Sequence, residues 1–475
     1  MNTRFHAFSR HLLCALSIAA VVLVSGCLEK RLTWSPDGNR AAVIAKDGSL
    51  YLCDRDGNLT KTPLTDVGFA EWAGGSQRLI VSRRYSTSEW SAIAPLLGDR
   101  RQRVEAEADR LSSELMAGKS WSELNAEPLG RILNVESNVI LVCLRERHGA
   151  EVKAKLTPDE WHGLTPGHTT VSVTEVQVAR VEGTTLATGA PLFSALGEIV
   201  DLRASPDGRA VALSFSLDEK NDNPSLQVLR LDEPGAKPVP VARFAAAFPD
   251  WKQDSRSLVY VEAPYADAKG TNGLGLGVLT EREVIDSAGQ VAIAKEPSYS
   301  AVAIFSGMAR VRCLADGRIL FNSAELMLPL STEDLNGDHR DQFFAVDPAR
   351  QATLVRLIPL GKQGDMPQML SFFDVSPDGK QVVFGGLKTE TVVFTVATGA
   401  VEVIQEPGES LFQGVPTWRG PGELCYVKRI SAKDGVKPAR PAEIVIRRAG
   451  TDKEEVLSRS WSDDVLAQVA SEDRK

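Results

Sequence analysis

The chain has 475 residues, 43% of them hydrophobic and 24% charged, and a formal net charge of −8. That length and apolar fraction can build a large core, and the acidic balance argues against non-specific nucleic-acid binding. With 38 Gly and 25 Pro spread along the chain and few stretches of helical pattern, the composition is that of an all-β protein with many turns.

Arg4 and Arg10 precede a continuous apolar run from Leu12 to Val24, which closes with Leu23-Val24-Ser25-Gly26-Cys27. The run is short for a membrane span and ends in small residues. It resembles a bacterial lipobox. The resemblance implies that residues 1–26 are a lipoprotein signal peptide, that cleavage follows Gly26, and that the Cys27 sulfur carries diacylglycerol and anchors the chain to a membrane. Leu rather than Asp at position 28 implies outer-membrane sorting, with the protein facing the periplasm. The alternative is an ordinary cleaved signal peptide with an incidental Cys. Without Arg4 and Arg10, 52 basic residues face 62 acidic ones. Cys27 stands seven residues before Trp34, about 25 Å even if fully extended, so the folded part is expected close to the membrane.

The next element is a four-residue turn that occurs three times unchanged: Ser35-Pro36-Asp37-Gly38, Ser205-Pro206-Asp207-Gly208 and Ser376-Pro377-Asp378-Gly379. Pro fixes φ at the second position, Asp suits the third, and Gly can take φ > 0 at the fourth. Each copy leads into a short apolar strand such as Ala41-Ala42-Val43. Looser copies follow Trp72, Trp251 and Trp418, and Leu314-Ala315-Asp316-Gly317 leads into Ile319-Leu320-Phe321. That makes seven anchors, at about 34, 72, 204, 251, 313, 375 and 418, four of them aromatic. An aromatic residue there fits a core position between adjacent sheets. The structural-turn residues are thus Asp37, Gly38, Asp207, Gly208, Asp316, Gly317, Asp378 and Gly379. A period of this length suits four-stranded propeller blades.

These turns and strands resemble the TolB-type, WD-like β-propeller repeat, from about residue 30 to 465. The resemblance is specific for the fold and unspecific for function. The expected fold is all-β: a β-propeller over residues 27–466, of seven four-stranded blades, with six or eight as alternatives. The blades are placed at about 30–66, from 68, 198–245, 246–303, 304–366, 367–411 and 412–466.

The step from Trp72 to Ala204 is 132 residues, against 38 to 62 elsewhere. We read 86–170 as an α+β insertion in blade two, with an eighth blade as the rival. Val104, Ala108, Leu111 and Leu115 predict a helix over 101–116. Ser120-Trp121-Ser122-Glu123 and Thr157-Pro158-Asp159-Glu160 read as helix starts. Residues 138–144 read as a strand, with 151–156 as its partner. Ring closure is expected from the strand before Trp34 pairing with Glu455-Val456-Leu457, and 467–475 reads as a polar tail.

Candidate chemistry is sparse. Cys53, Cys143, Cys313 and Cys425 read as small buried hydrophobes in separate strands. His162 and His168, six apart in a loop, could share a metal but show no third ligand. Asp334, Asn336, Asp338 and Asp341 form the densest acidic loop. Oxygen ligands at such spacing make it a Ca²⁺ candidate, and an Asn-Gly hairpin turn is the plainer reading. No other cofactor is expected. Gly-x-Ser-x-Gly, the mark of propeller-bearing serine peptidases, is absent from the sequence, so an enzyme is not expected. The function expected is a membrane-anchored scaffold for unidentified envelope proteins, with the insertion carrying partner specificity. The alternative is a propeller enzyme or small-ligand or carbohydrate binder with a metal in the central channel.

Overall fold

The computed structural model describes residues 31–126, 135–215, 225–233, 235–242, 245, 248–262, 276–291, 299–306, 310–323, 325–328, 342–347, 353–356, 372–385, 391–405, 416–430 and 442–470. Among these, the strands form seven antiparallel sheets, each a blade of a β-propeller. Blade one is Leu32–Trp34, Arg40–Ile44, Leu50–Asp54 and Leu59–Lys61. The first strands of blades two to seven are Val67–Trp72, Ile199–Ala204, Asp250–Trp251, Val311–Cys313, Phe372–Val375 and Thr417–Gly420. Neighbouring first strands lie against one another around the centre of the ring, so they are its inner strands. Two sheets carry a fifth strand. Phe193–Leu196 pairs with the third strand of blade two, and Glu325–Leu328, from within the blade-five segment, pairs with the last strand of blade four.

The three exact turns fold identically. In each, the Ser N–H and carbonyl bond across the turn, the Ser hydroxyl donates to the Asp carboxylate at 2.6 to 2.7 Å, and that Asp accepts the N–H two residues on. The Gly residues take φ of 66°, 68° and 69°. Two of them also press on the preceding blade. A Cβ on Gly208 would lie 2.3 Å from the Gly74 backbone, and one on Gly38 would lie 2.4 Å from the Arg419 carbonyl oxygen.

Three of the four anchor tryptophans tie neighbouring blades together. Trp72, Trp251 and Trp418 donate their indole N–H to the carbonyls of Thr33, Arg203 and Asp374, at 3.0, 2.9 and 3.2 Å. Each acceptor is the residue before the anchor of the preceding blade, and each of those blades carries an exact Ser-Pro-Asp-Gly turn. Blades one and two, three and four, and six and seven are therefore locked in pairs. The fourth, Trp34, faces the last blade across the seam, and its indole nitrogen is buried without a hydrogen-bond partner.

Between the second and third strands of blade two, Arg78–Thr87 and Val171–Glu182, the chain forms helices α1 (Trp90–Ile93), α2 (Arg101–Met116), α3 (Trp121–Ala126), α4 (Ser137–Lys155) and α5 (Pro158–Gly163). The two strands pair from Arg78↔Arg180 out to Thr87↔Val171 and carry the helices on their far end. Val104, Ala108, Leu111 and Leu115 of α2 are all buried, and α5 starts in a capping box between Thr157 and Glu160. The strands expected at 138–144 and 151–156 are instead one helix, α4, so the β part of the expected insertion is corrected. Val139, Ile140, Val142, Cys143 and Leu144 are buried between α2 and the ends of the blade-two strands. A continuous apolar run suits a helix covered on several sides as well as a buried strand. Cys143 accordingly lies on a helix and not in a strand.

Ring closure also differs from the expectation. The strand before Trp34 pairs only within blade one, and Glu454–Val456 pairs within blade seven. Side chains close the seam instead. Leu32, Trp34, Val43 and Cys53 of blade one pack against Cys425, Ile444 and Ile446 of blade seven and against Leu466, Val469 and Ala470. The last three lie on α6 (Asp463–Ala470), so residues 467–470 belong to a docked helix and not to a polar tail. Hydrogen bonds from Trp461 Nε1 to the Gly57 carbonyl (2.8 Å) and from Arg31 Nη1 to the Gln468 carbonyl (2.7 Å) fix the closure.

Candidate functional site in the central channel

Seven residues, one per blade, immediately precede the anchors: Thr33, Glu71, Arg203, Asp250, Arg312, Asp374 and Thr417. Strand registers place them at the same level, because each pairs one position before its anchor does. Around the ring their charges alternate: negative, positive, negative, positive, negative, then two hydroxyls. Several reach to the neighbouring inner strand. Arg203 Nη1 meets Glu71 Oε1 at 3.2 Å. Asp250 Oδ2 accepts the Cys313 N–H at 2.8 Å, and Asp374 Oδ2 accepts from Thr417 Oγ1 at 3.2 Å.

Two residues before four of these positions stand Asp201, which is within its strand, and Arg31, Phe248 and Arg310, which lie just ahead of theirs. The Arg310 guanidinium lies 3.6 Å from the centre of the Phe248 ring, a cation–π contact. Phe248 takes φ of 74° directly before Pro249, a left-handed conformation that costs a bulky residue about 1–3 kcal/mol.

These groups share the axis of the ring. Arg203 of blade three interacts electrostatically with Asp374 of blade six, and Arg312 of blade five with Arg203 and Asp201 of blade three. Burial works against the charge on Arg203, but Glu71, Asp250, Asp201 and Asp374 outweigh it and hold its pKa up. Burial and their neighbouring guanidiniums push Arg310 and Arg312 down, although a guanidinium stays charged. Burial pushes the Asp201 carboxyl up against the pull of the three arginines. Among the described residues, no three His, Cys, Asp or Glu side chains converge as a metal site. The channel carboxylates alternate with arginines instead.

Sequence reasoning missed this belt. The signal was present: aligning the seven anchors puts a polar or charged residue before each one. Asp37, Asp207, Asp316 and Asp378 lie instead in turns and bond within them. His162 and His168 do come together, with Nε2 atoms 2.7 Å apart, both exposed, but His162 lies in the last turn of α5 and not in the expected loop. Cys53, Cys143, Cys313 and Cys425 are free thiols. Cys27 and the calcium candidates Asp334, Asn336, Asp338 and Asp341 lie outside the described residues.

No protein-family model matches the chain, and no curated protein matches it. Among solved structures it is similar to TolB from Acinetobacter baumannii, at 16% identity over 58% of this chain and a TM-score of 0.37. It spans 57% of that protein's length. It is also similar to the Cps50 (Swd1) β-propeller domain of Myceliophteria thermophila, at 10% identity over 84% of this chain and 92% of that one, with a TM-score of 0.44. The tricorn protease is similar over 80% of this chain and 34% of its own, at 10% identity and a TM-score of 0.35. The assignment of this chain as a seven-bladed propeller rests on its own seven sheets.

Proposed function

We propose that the protein is a lipid-anchored scaffold of the bacterial cell envelope, held at Cys27, with the helical insertion of blade two as its partner-binding module. The observation that carries this reading is the insertion itself. Its core, from Trp90 to Leu164, continues onto Val171, Val173 and Leu196 of blade two, and it rides on the long blade-two hairpin, while the described parts of the other blades keep the blade pattern. Rigid frames that present irregular segments are common binding platforms. No acyl-transfer chemistry is proposed, because the sequence lacks a nucleophile elbow. The bacterial lipobox pattern at 23–27 supports anchoring, and the position-28 residue favours the outer membrane.

The test removes the module without touching the ring. Thr87 and Val171 are directly paired, so a short Gly-Ser turn can join them in place of residues 88–170. Both proteins are crosslinked in intact envelopes and purified. A partner captured by the wild type and lost from the deletion, with its β-sheet circular dichroism retained, supports the reading. Equal capture by both proteins moves specificity to the ring, and capture by neither overturns the scaffold. The charged belt favours a second reading, a ligand site in the channel.

A further inference from the structure

We propose that the central channel holds an oxyanion site centred on Arg312, flanked by Arg310 and Arg203, which takes a small phosphate- or carboxylate-bearing molecule with a hydroxyl beside its charge. Arg310 and Arg312 are 7% and 6% exposed; Arg312 lies in the blade-five inner strand Val311–Cys313 and Arg310 immediately before it. Val311 points the other way, into the core shared with blade four. Two like charges buried side by side are costly unless opposite charge reaches them. Each has its Nε buried without a hydrogen-bond partner, and the Arg312 guanidinium lies 5.9 Å from the Phe373 ring. Arg312 Nη1 donates to the Val311 carbonyl of its own strand at 2.8 Å. No ion pair of Arg312 occurs among the described residues, although a guanidinium offers five donors in a planar fork. Arg203, from the inner strand of blade three, also has its Nε buried without a partner.

Asp250, Asp374 and Asp201 attract Arg312 electrostatically, but none of them hydrogen-bonds its Nε. Glu71 is taken by Arg203, Asp250 by the Cys313 N–H, and Asp374 by Thr417. Asp201 has Oδ2 buried without a partner. An oxyanion at the axis would accept from the guanidinium forks, the geometry in which arginine binds phosphate and carboxylate best. A ligand hydroxyl would donate to Asp201. Acceptor oxygens with an adjacent hydroxyl therefore describe the ligand: a protonated phosphate, or a 2-hydroxy carboxylate.

Isothermal titration tests this on the full-length protein with two probes, inorganic phosphate and glycolate, each at constant ionic strength set with chloride. Saturable binding of either probe to the wild type, weakened about 10- to 100-fold in Arg312→Gln, is the expected result, as for loss of a charge-assisted hydrogen bond. Which probe binds identifies the source of the oxyanion. Arg312→Lys keeps the charge and loses the fork, so it serves where Arg312→Gln does not fold, with binding weakened about tenfold. Asp201→Asn is expected to weaken binding of whichever probe binds, because phosphate in its protonated form and glycolate both carry a donor hydroxyl. Absence of binding by both probes at millimolar concentration overturns the proposal, as does affinity that Arg312→Gln or Arg312→Lys leaves unchanged.

Discussion

Alanine at Gly208 and alanine at Gly379 separate two roles that one repeated turn combines. Both glycines have nearly the same φ, 68° and 69°, so both substitutions carry the same left-handed penalty, about 1–2 kcal/mol. They differ in surroundings. A Cβ at Gly379 meets nothing within 4 Å, whereas one at Gly208 would lie 2.3 Å from Gly74 N and Cα and 2.9 Å from Ala73 C. Those atoms are backbone at the inner turn of blade two and cannot rotate away, so blade two or blade three has to shift. Forcing a methyl into packed structure costs about 1–3 kcal/mol more. The expected totals are about 1–2 kcal/mol for Gly379→Ala and about 2–5 kcal/mol for Gly208→Ala. Urea unfolding followed by tryptophan fluorescence reports both. Equal losses for the two variants would refute the claim that the Gly208 turn is a contact between blades as well as a local turn.

Two further outcomes follow from the same geometry. Burial opposes the charge on Asp37, but hydrogen bonds from Ser35, Asn39 and Ser76 hold its carboxyl down at about 2. A carboxylate depressed in the folded state contributes stability above its ordinary pKa of about 3.9, and that contribution is lost as pH falls toward the folded value. Asp37 is exposed, so solvent screening limits the effect to about 1 kcal/mol or less. Asp37→Asn should flatten the loss of urea stability between pH about 4 and about 2, and an unchanged acid limb contradicts this. Burial also pushes the thiols of Cys143 and Cys425 up to about 12, and Cys53 is fully buried as well. An aromatic disulfide reagent at mildly alkaline pH should label these three only after unfolding, and rapid stoichiometric labelling of the native protein would exclude that burial.

The turns were the legible part of the sequence because their chemistry is local. Pro, Asp and Gly at fixed offsets define one conformation without tertiary help, and Ser35, Ser205 and Ser376 repeat one hydrogen-bond pattern. The anchor tryptophans were legible as core residues, but not as donors to the carbonyl of the preceding blade, since that acceptor is backbone and leaves no mark in sequence. Helix α4 was misread because Val139 to Leu144 is apolar on every side, and burial of a whole helix surface erases the 3.6-residue period. The charged belt was hidden for the opposite reason. Inner strands such as Val311–Cys313 are three residues long, too short to show alternation, so nothing local marks Arg312 as facing the axis.

The seam between blades seven and one joins these observations. Elsewhere the chain runs directly from one blade into the next, but at the seam only side chains and a few hydrogen bonds hold the ring shut. Arg419 sits there, 2% exposed in its side chain, bonded to Glu423 at 2.8 Å and lying 5.7 Å from the Trp34 ring. Glu423 in turn meets Arg55 of blade one at 3.3 Å. Trp34 thus lies between the apolar seam and a chain of ion pairs from Arg419 through Glu423 to Arg55. The helix α6 lies against Ala442–Arg448 of blade seven, while its Gln468 carbonyl accepts from Arg31 Nη1 and the Lys46 N–H of blade one, so residues 467–470, expected in a polar tail, bridge the seam.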